Sequence, residues 1–201
     1  MKADRWLLLP IAFLAALPAA VAPTAPEPDG EGEGERPYEM TWVGRDADAH
    51  PPLVDFEDLS GWTVDASNAE ASLTRTRRQL LWDKYTAELK YRATGSLPPS
   101  VTLRPPGPWR VPPDADCANL WVYGNNWSYS GDLSTPPVSL VLLLKTTSGN
   151  ALKINLGSVH WKGWPLMHAK LAPEQARELR AGAAFTGILV TGGRNLEDRA
   201  I

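Results

Sequence analysis

The stretch ANLWVYGNNWSYSGDLSTPPVSLVLLLKTTSGNALKINLG, residues 118–157, decides the fold class of this chain. It contains short runs rich in Val, Leu, Ile and aromatic residues, separated by the turn-forming clusters GNNWSYSGD, STPP and TSGN. Short apolar runs bounded by Gly, Pro, Asn and Ser are typical of β-strands. We therefore predict consecutive antiparallel strands, with a hairpin turn at residues 146–150. The first cluster places Trp127 and Tyr129 in a surface loop, where large rings suit binding.

The same strand-like pattern continues on both sides of this stretch. A first strand is predicted at residues 53–57, a single short helix at residues 171–182, and a proline-rich surface connection at residues 104–116. About nine short strands with frequent turns, and no alternation of strands with helices, predict an all-β sandwich. The further strand-like runs lie at residues 69–82, 86–94, 100–105 and 183–193, with another strand beginning in the final GRNLEDRAI.

The first 52 residues precede the predicted sandwich domain, residues 53–201. Residues 1–22 combine a short basic start with an apolar run and small residues, the pattern of a secretory signal peptide. The apolar run is shorter than the ~20 residues that span a bilayer, although an uncleaved anchor is the alternative. Residues 23–52 form a Pro/Gly/Glu-rich linker and lead-in, with a short strand predicted at residues 38–43. We therefore expect a secreted or extracytoplasmic protein with no membrane contact beyond export.

Charge and cysteine content narrow the possible functions. The chain has 20 basic and 23 acidic residues, and the two signs balance over residues 37–201. A neutral domain gives no electrostatic reason to expect a nucleic-acid partner. The single cysteine, Cys117, makes no intramolecular disulfide, and we predict that it is a small buried apolar residue.

Catalysis finds little support in the sequence, and we predict no catalytic residue. A glycosidase needs two carboxyl groups across a deep cleft, whereas Asp55 and Glu57 share one short predicted strand. His50, His160 and His168 lack the spacing of a metal site. The sequence also contains no G-x-S-x-G nucleophile motif.

Aromatic residues near polar side chains point instead to sugar binding, which needs flat apolar faces flanked by hydrogen-bonding groups. The alternative for Trp161 and Trp164 is packing within the sheets. We expect Trp121, which lies between Leu120 and Val122, to belong to the core. The candidate stacking rings are Trp127, Tyr129, Trp161 and Trp164, and the candidate polar contacts are Asn125, Asn126, Asp132 and His160.

The order of four segments resembles a known family. These are the acidic DFEDLSGW, the block 118–157, the tryptophan-rich HWKGW, and FTGILVTGGRNLEDRAI. Together they resemble the galactose-binding-like β-jelly-roll domains that serve as carbohydrate-binding modules in secreted bacterial proteins. The resemblance covers residues 53–201. It implies a jelly-roll β-sandwich with one short helix, and a polysaccharide or glycan as partner.

The resemblance also implies a structural calcium ion, Ca2+. Glu57 and Asp58 are the candidate ligands from the first strand, and plain surface carboxylates are the alternative. The acidic ligand expected from the last strand is not visible in the sequence. Because a strand begins in the last residues, we expect the sandwich to be truncated there and the chain to be part of a larger multidomain protein.

Three functions remain open from the sequence. The first is a non-catalytic carbohydrate-binding-like module that holds a glycan by aromatic stacking. The second is a structural or adhesion sandwich with no small ligand. The third is an accessory domain of an enzyme whose catalytic part lies outside this chain.

Overall fold

A computed structural model describes residues 52–81, 84–125, 136–193 and 198–201. The predicted signal peptide, most of the linker and the strand at residues 38–43 lie outside these residues. So do four of the predicted site residues, Asn126, Trp127, Tyr129 and Asp132. Within the described ranges, no helix is long and apolar enough to cross a membrane.

Eleven strands and one short helix make up the described part of the chain, which confirms the all-β prediction. The helix, α1, spans Pro173–Arg180. The strands are β1 (Thr63–Ser67), β2 (Ala69–Thr76), β3 (Thr86–Ala93), β4 (Ser100–Arg104), β5 (Trp109–Arg110), β6 (Cys117–Trp121), β7 (Val138–Thr146), β8 (Ala151–Val159), β9 (Leu166–Lys170), β10 (Ala183–Thr191) and β11 (Asp198–Ala200).

The strands form a jelly-roll sandwich of two layers. One layer is a six-stranded antiparallel sheet in the order β1-β4-β10-β7-β8, with β5 paired to β10. The other layer contains two separate sheets, β11-β3-β2 and β6-β9. Alternate side chains of each strand point between the layers, because successive side chains of a strand lie on opposite faces. The core is therefore built from buried residues such as Leu89, Val101, Leu140 and Val190.

The hairpin predicted at residues 146–150 is confirmed. It joins β7 to β8, with Thr146 donating its N–H to the carbonyl of Asn150 and Gly149 donating to Thr146. Gly149 adopts φ +89°, a conformation that glycine reaches without steric cost. The apolar run of residues 138–144 belongs to β7, which lies inside its sheet between β8 and β10.

The predicted helix is also confirmed. Pro173 occupies its first turn, and the side chain of Gln175 accepts the backbone N–H of Ala172 just before it. Leu179 points into the core and is fully buried. The helix therefore packs one apolar residue against the sheets and leaves its charged residues toward solvent.

The first strand, predicted at residues 53–57, is wrong. This segment is irregular, and the first strand is β1 at Thr63–Ser67. Asp55 and Asp58 accept the backbone N–H groups of Glu57 and Ser60, at 3.0 and 2.8 Å. Such short-range aspartate bonds favour turns over strands. Phe56, at φ +62°, then places its ring 5.3 Å from that of Trp62.

Candidate functional site

Two segments of the predicted site lie side by side. Gly124 and Gly163 exchange two backbone hydrogen bonds, with N···O distances of 2.9 and 2.7 Å. A side chain at Gly124 would collide with the carbonyl oxygen and ring of Trp161. Gly124, which follows Tyr123, therefore lies beside the 160–164 segment. The rest of the loop after Tyr123, residues 126–132, lies outside the described residues.

Trp164 does not offer an open stacking surface, so its predicted role as an exposed platform is wrong. Only 5% of its surface is accessible, and its ring packs edge-to-face against Tyr123 with 5.4 Å between centroids. Gly163, the residue before it, adopts φ +98°, a conformation that glycine reaches without steric cost. The indole N–H of Trp164 has no acceptor among the described residues.

Trp161 and His160 form the rim of this cluster. Trp161 is half-buried, and its indole N–H donates to the carbonyl of Val122 at 3.1 Å. The His160 ring packs edge-to-face on Trp161 with 4.8 Å between centroids. His160 is exposed, and its Nδ1 lies 2.9 Å from the carbonyl oxygen of Ser158. Trp161 is therefore anchored on one edge, while His160 faces solvent.

Trp121 lies on the opposite face of β6 from the one we predicted. The core takes Leu120 and its cross-strand partner Met167, which is buried. Because the side chains of a strand alternate, Trp121 points to the other side and is half-buried there. Its direct partner across the strands is Leu166, with 41% of its surface exposed. An exposed leucine beside a tryptophan makes a small apolar patch on this side.

We call this outward side of β6 and β9 the outer face. It consists of three cross-strand pairs: Trp121–Leu166, Asn119–His168 and Cys117–Lys170. The Asn119 side-chain oxygen lies 2.7 Å from Nδ1 of His168. The outer face thus places a fixed amide–imidazole pair next to the apolar patch.

Cys117 at the end of the outer face is half-buried, so the prediction of a buried cysteine is wrong. A hydrogen bond with the Asp116 side chain raises the pKa of its thiol, and partial burial adds to this. Because the thiolate is the nucleophilic form, the thiol is not activated at neutral pH.

The neighbouring sheet β11-β3-β2 continues the second layer with polar side chains. Glu88 and Lys90 on β3 form an ion pair at 2.9 Å. Opposite them on β2 lie Thr74 and Ser72. On the inner side of the same sheet, Tyr91 donates its hydroxyl to the carbonyl of Gly192 at 2.9 Å, and burial raises the pKa of that hydroxyl well above its usual value.

A cavity of about 420 Å³ separates the two sheets of the second layer. We call it the slot. It is lined by β3 at Thr86–Lys90, by the end of β6 and the residues after it from Leu120 to Tyr123, and by half-buried Asn125. Its floor belongs to the six-stranded sheet and consists of Leu103, Leu140, Ile188 and Val190.

The predicted calcium ligands do not lie on a strand. One carboxylate oxygen of Glu57 accepts the backbone N–H groups of Lys84 and Tyr85, both at 2.9 Å. Asp58 is exposed, and its hydrogen bonds with Ser60 lower the pKa of its carboxyl. Within residues 52–81, 84–125, 136–193 and 198–201, no three His, Cys, Asp or Glu side chains gather as a metal site.

Sequence comparison adds no family to these observations. No protein-family model matches the chain, and no curated protein matches it.

The fold resembles that of carbohydrate-binding modules of the β-sandwich type. One similar structure, studied for the promiscuous specificity of β-sandwich carbohydrate-binding modules, is 13% identical with a TM-score of 0.47. The match covers 73% of this chain and 56% of that one, so this chain spans little more than half of its length.

Two further modules were solved with bound oligosaccharides. TmCBM61, in complex with β-1,4-galactotriose, is 12% identical with a TM-score of 0.38, and the match covers 72% of this chain and 90% of that chain. The family 11 module from Clostridium thermocellum, in complex with a β-1,3-1,4-mixed-linked tetrasaccharide, is 11% identical with a TM-score of 0.41. That match covers 73% of this chain and 87% of the module.

Proposed function

We propose that this chain is a non-catalytic carbohydrate-binding-like module that holds a glycan on the outer face of β6 and β9. The observation that carries the proposal is the pairing of Trp121 with Leu166 on an outward-facing strand surface. Both residues are large and apolar, and neither lies within the core. Trp121 is half-buried and Leu166 is 41% exposed, so the pair leaves apolar surface that a ligand ring could cover.

The chemistry beside the patch suits a sugar. The flat apolar side of a pyranose ring stacks on an aromatic ring, while its hydroxyl groups need hydrogen-bonding partners. Asn119 and His168 lie next to the patch, and their mutual hydrogen bond fixes both side chains. Preorganised polar groups cost less to bind with than mobile ones. The outer face therefore supplies the apolar and the polar contacts together.

The predicted site residues take modified roles in this proposal. Trp161 and Trp164 pack beside the end of β6, while His160 packs on Trp161 and Asn125 lines the slot. Trp127, Tyr129, Asn126 and Asp132 remain proposed contacts from the loop that follows Asn125. The glycan is thus proposed to contact the outer face first and the loop second.

Affinity electrophoresis in gels that contain soluble polysaccharides tests the proposal, with mixed-linkage β-glucan and β-1,4-galactan as first probes. Trp121→Ala is expected to weaken retardation at least tenfold, as ring stacking is lost. The matched control is Leu97→Ala, because Leu97 is also apolar, is 61% exposed and lies in the β3–β4 connection. Equal retardation of the wild type and Trp121→Ala would contradict the proposed face.

A specific observation favours a second candidate, a structural or adhesion sandwich without a small ligand. Trp164 is buried, and Trp161 uses its indole N–H on a backbone carbonyl. Two of the four predicted rings thus stabilise the fold. If no polysaccharide in a broad array retards the folded protein, this second function is the better one.

We further propose that the protein is exported and forms part of a larger multidomain chain, as residues 1–22 and the linker suggest. An alternative is that the chain is an accessory domain of an enzyme whose catalytic part lies outside it. Glu57 and Asp58 remain the proposed contributors to a structural Ca2+ site. Thermal melting in millimolar calcium and in excess chelator tests this, and equal melting temperatures would rule the calcium site out.

A further inference from the structure

The outer face changes character along its length. Its apolar patch lies at one end, the Asn119–His168 pair lies in the middle, and Cys117 and Lys170 lie at the other end. Asn119, His168 and Lys170 are exposed, so their polar groups are open to a ligand. None of the six side chains of the outer face is a carboxylate.

The Asn119–His168 pair has a defined arrangement of protons. An amide oxygen only accepts hydrogen bonds, so Nδ1 of His168 must be the donor to Oδ1 of Asn119 over 2.7 Å. The amide nitrogen of Asn119 lies 4.0 Å from the sulfur of Cys117, which agrees with this orientation of the amide. The amide oxygen is thus engaged within the outer face, whereas the amide N–H donors lie toward the end that carries Cys117.

Lys170 brings a formal positive charge to this end. Within the described parts of the chain, its ammonium group forms no ion pair. The carboxylate of Asp116, the residue before Cys117, is instead hydrogen-bonded with the Cys117 side chain, and this bond raises the pKa of the thiol. The three N–H donors of the Lys170 ammonium group are therefore available to a ligand.

The hydrogen-bonding groups near Lys170 are thus mainly donors, and the charge among them is positive. A sugar hydroxyl both donates and accepts hydrogen bonds, and it carries no charge. An ionised carboxylate only accepts, and a hydrogen bond between charged partners is stronger than one between neutral groups. This end of the outer face is therefore matched to an anionic substituent better than to a hydroxyl.

The distance between the two ends sets the size of the ligand. Trp121 and Cys117 are four residues apart on β6, which separates their positions by about 13 Å at the usual rise of an extended strand. This separation is longer than one pyranose ring. A ligand that stacks on Trp121 and reaches Lys170 must therefore be an oligosaccharide segment of several sugars that runs along β6 and β9.

We propose that the outer face selects anionic glycans, with a sugar stacked on Trp121 and a carboxylate or sulfate ester of another sugar bound by Lys170. This inference rests on the proposed function and names the class of glycan. Asn119 adds an amide N–H donor beside the anionic group.

Two pairs of polymers, each with a single backbone, test the inference on the full chain by affinity electrophoresis. Polygalacturonate is compared with its methyl ester, which lacks the carboxylate charge, and dextran sulfate is compared with dextran. We expect the wild type to bind the anionic member of at least one pair about fivefold more tightly, the upper range for one exposed ion pair. The pair that shows this preference identifies the anionic group as a carboxylate or as a sulfate ester. High salt should remove the preference, because salt screens exposed charges.

Lys170→Met should abolish this preference and leave binding of the neutral member unchanged. The matched control is Lys145→Met, which removes an equal charge from an exposed lysine on β7, in the other layer of the sandwich. Lys145→Met should retain the preference. Trp121→Ala should weaken binding of both members of the pair, because both stack on the same ring.

Four results separate this inference from the function on which it rests. Equal binding within both pairs of polymers would overturn the inference while the proposed glycan site stands. An equal loss of preference in Lys170→Met and Lys145→Met would overturn it as well, because the effect would then belong to the net charge. Unchanged binding of the anionic polymer by Trp121→Ala would place the anion elsewhere and overturn it. If the wild type binds none of the charged or neutral polysaccharides, both the inference and the proposed function are wrong.

Discussion

Gly124 and Gly163 exchange two backbone hydrogen bonds and thereby join the end of β6 to the turn before β9. This small contact brings Tyr123 onto Trp164 and Val122 onto the indole N–H of Trp161. The aromatic cluster beside the outer face therefore depends on two residues without side chains. Variants in this cluster therefore distinguish the residues that stabilise the fold from those proposed to bind a ligand.

Gly124→Ala is expected to destabilise the protein by about 1–3 kcal/mol, as overpacking does in a tightly packed site. The added methyl group would meet the carbonyl oxygen and ring of Trp161. Urea unfolding measures the change. Gly95→Ala is the matched control, because nothing lies within 4 Å of a methyl group there. A Gly124→Ala protein as stable as the Gly95→Ala protein would contradict the close approach.

Trp164→Ala should lower the free energy of unfolding by about 3–5 kcal/mol, the usual cost of removing a buried large aromatic ring. Trp121→Ala is expected to cost clearly less, because its ring lies on the outer face. Chemical denaturation of both variants gives the comparison. Were the two losses equal, the assignment of Trp164 to packing and Trp121 to the surface would be wrong.

Glu57→Ala is expected to cost about 1–3 kcal/mol, because the backbone N–H groups of Lys84 and Tyr85 would lose their shared acceptor. Glu57→Gln keeps a side-chain oxygen at the same position and should retain most of the stability. The pair is compared by urea unfolding in the presence of chelator. If Gln is as costly as Ala, the charge matters and not the hydrogen bonds.

Asp58 is expected to contribute a small part of the loss of stability at low pH. Its hydrogen bonds with Ser60 hold the pKa of the carboxyl below its usual value in the folded protein. A carboxyl whose pKa is lowered by folding stabilises at higher pH, and this contribution is lost as the pH falls through the folded value. Ser60→Ala should therefore flatten the decline of the melting temperature below about pH 4. Ser67→Ala, an exposed serine on β1, is the control, and identical pH profiles for Ser60→Ala and the wild type would contradict the assignment.

The fold class could be predicted from the sequence because its signals are local. The 146–150 turn, the apolar runs of β7 and β8 and the capped helix at residues 173–180 are each specified by neighbouring residues. The strand prediction at residues 53–57 was wrong for a local reason as well. Asp55 and Asp58 bond to the backbone two residues ahead, and this competes with an extended ladder.

The candidate site was harder to predict, because burial depends on which face of a strand meets the core. Leu120, Trp121 and Val122 are all apolar, so the local pattern gave no preference for the outward residue. The pairing of β6 with β9 resolves this, because it places Leu120 opposite buried Met167 and Trp121 opposite exposed Leu166.

The sequence by itself determined that this chain forms an all-β sandwich with one short helix, because turn residues and strand periodicity act over a few residues. Only the tertiary structure decided which tryptophans pack and which face outward. It also decided that β3 and β6 lie on either side of an apolar slot. Both outcomes depend on the register between strands distant in sequence, and register is set by packing between the layers.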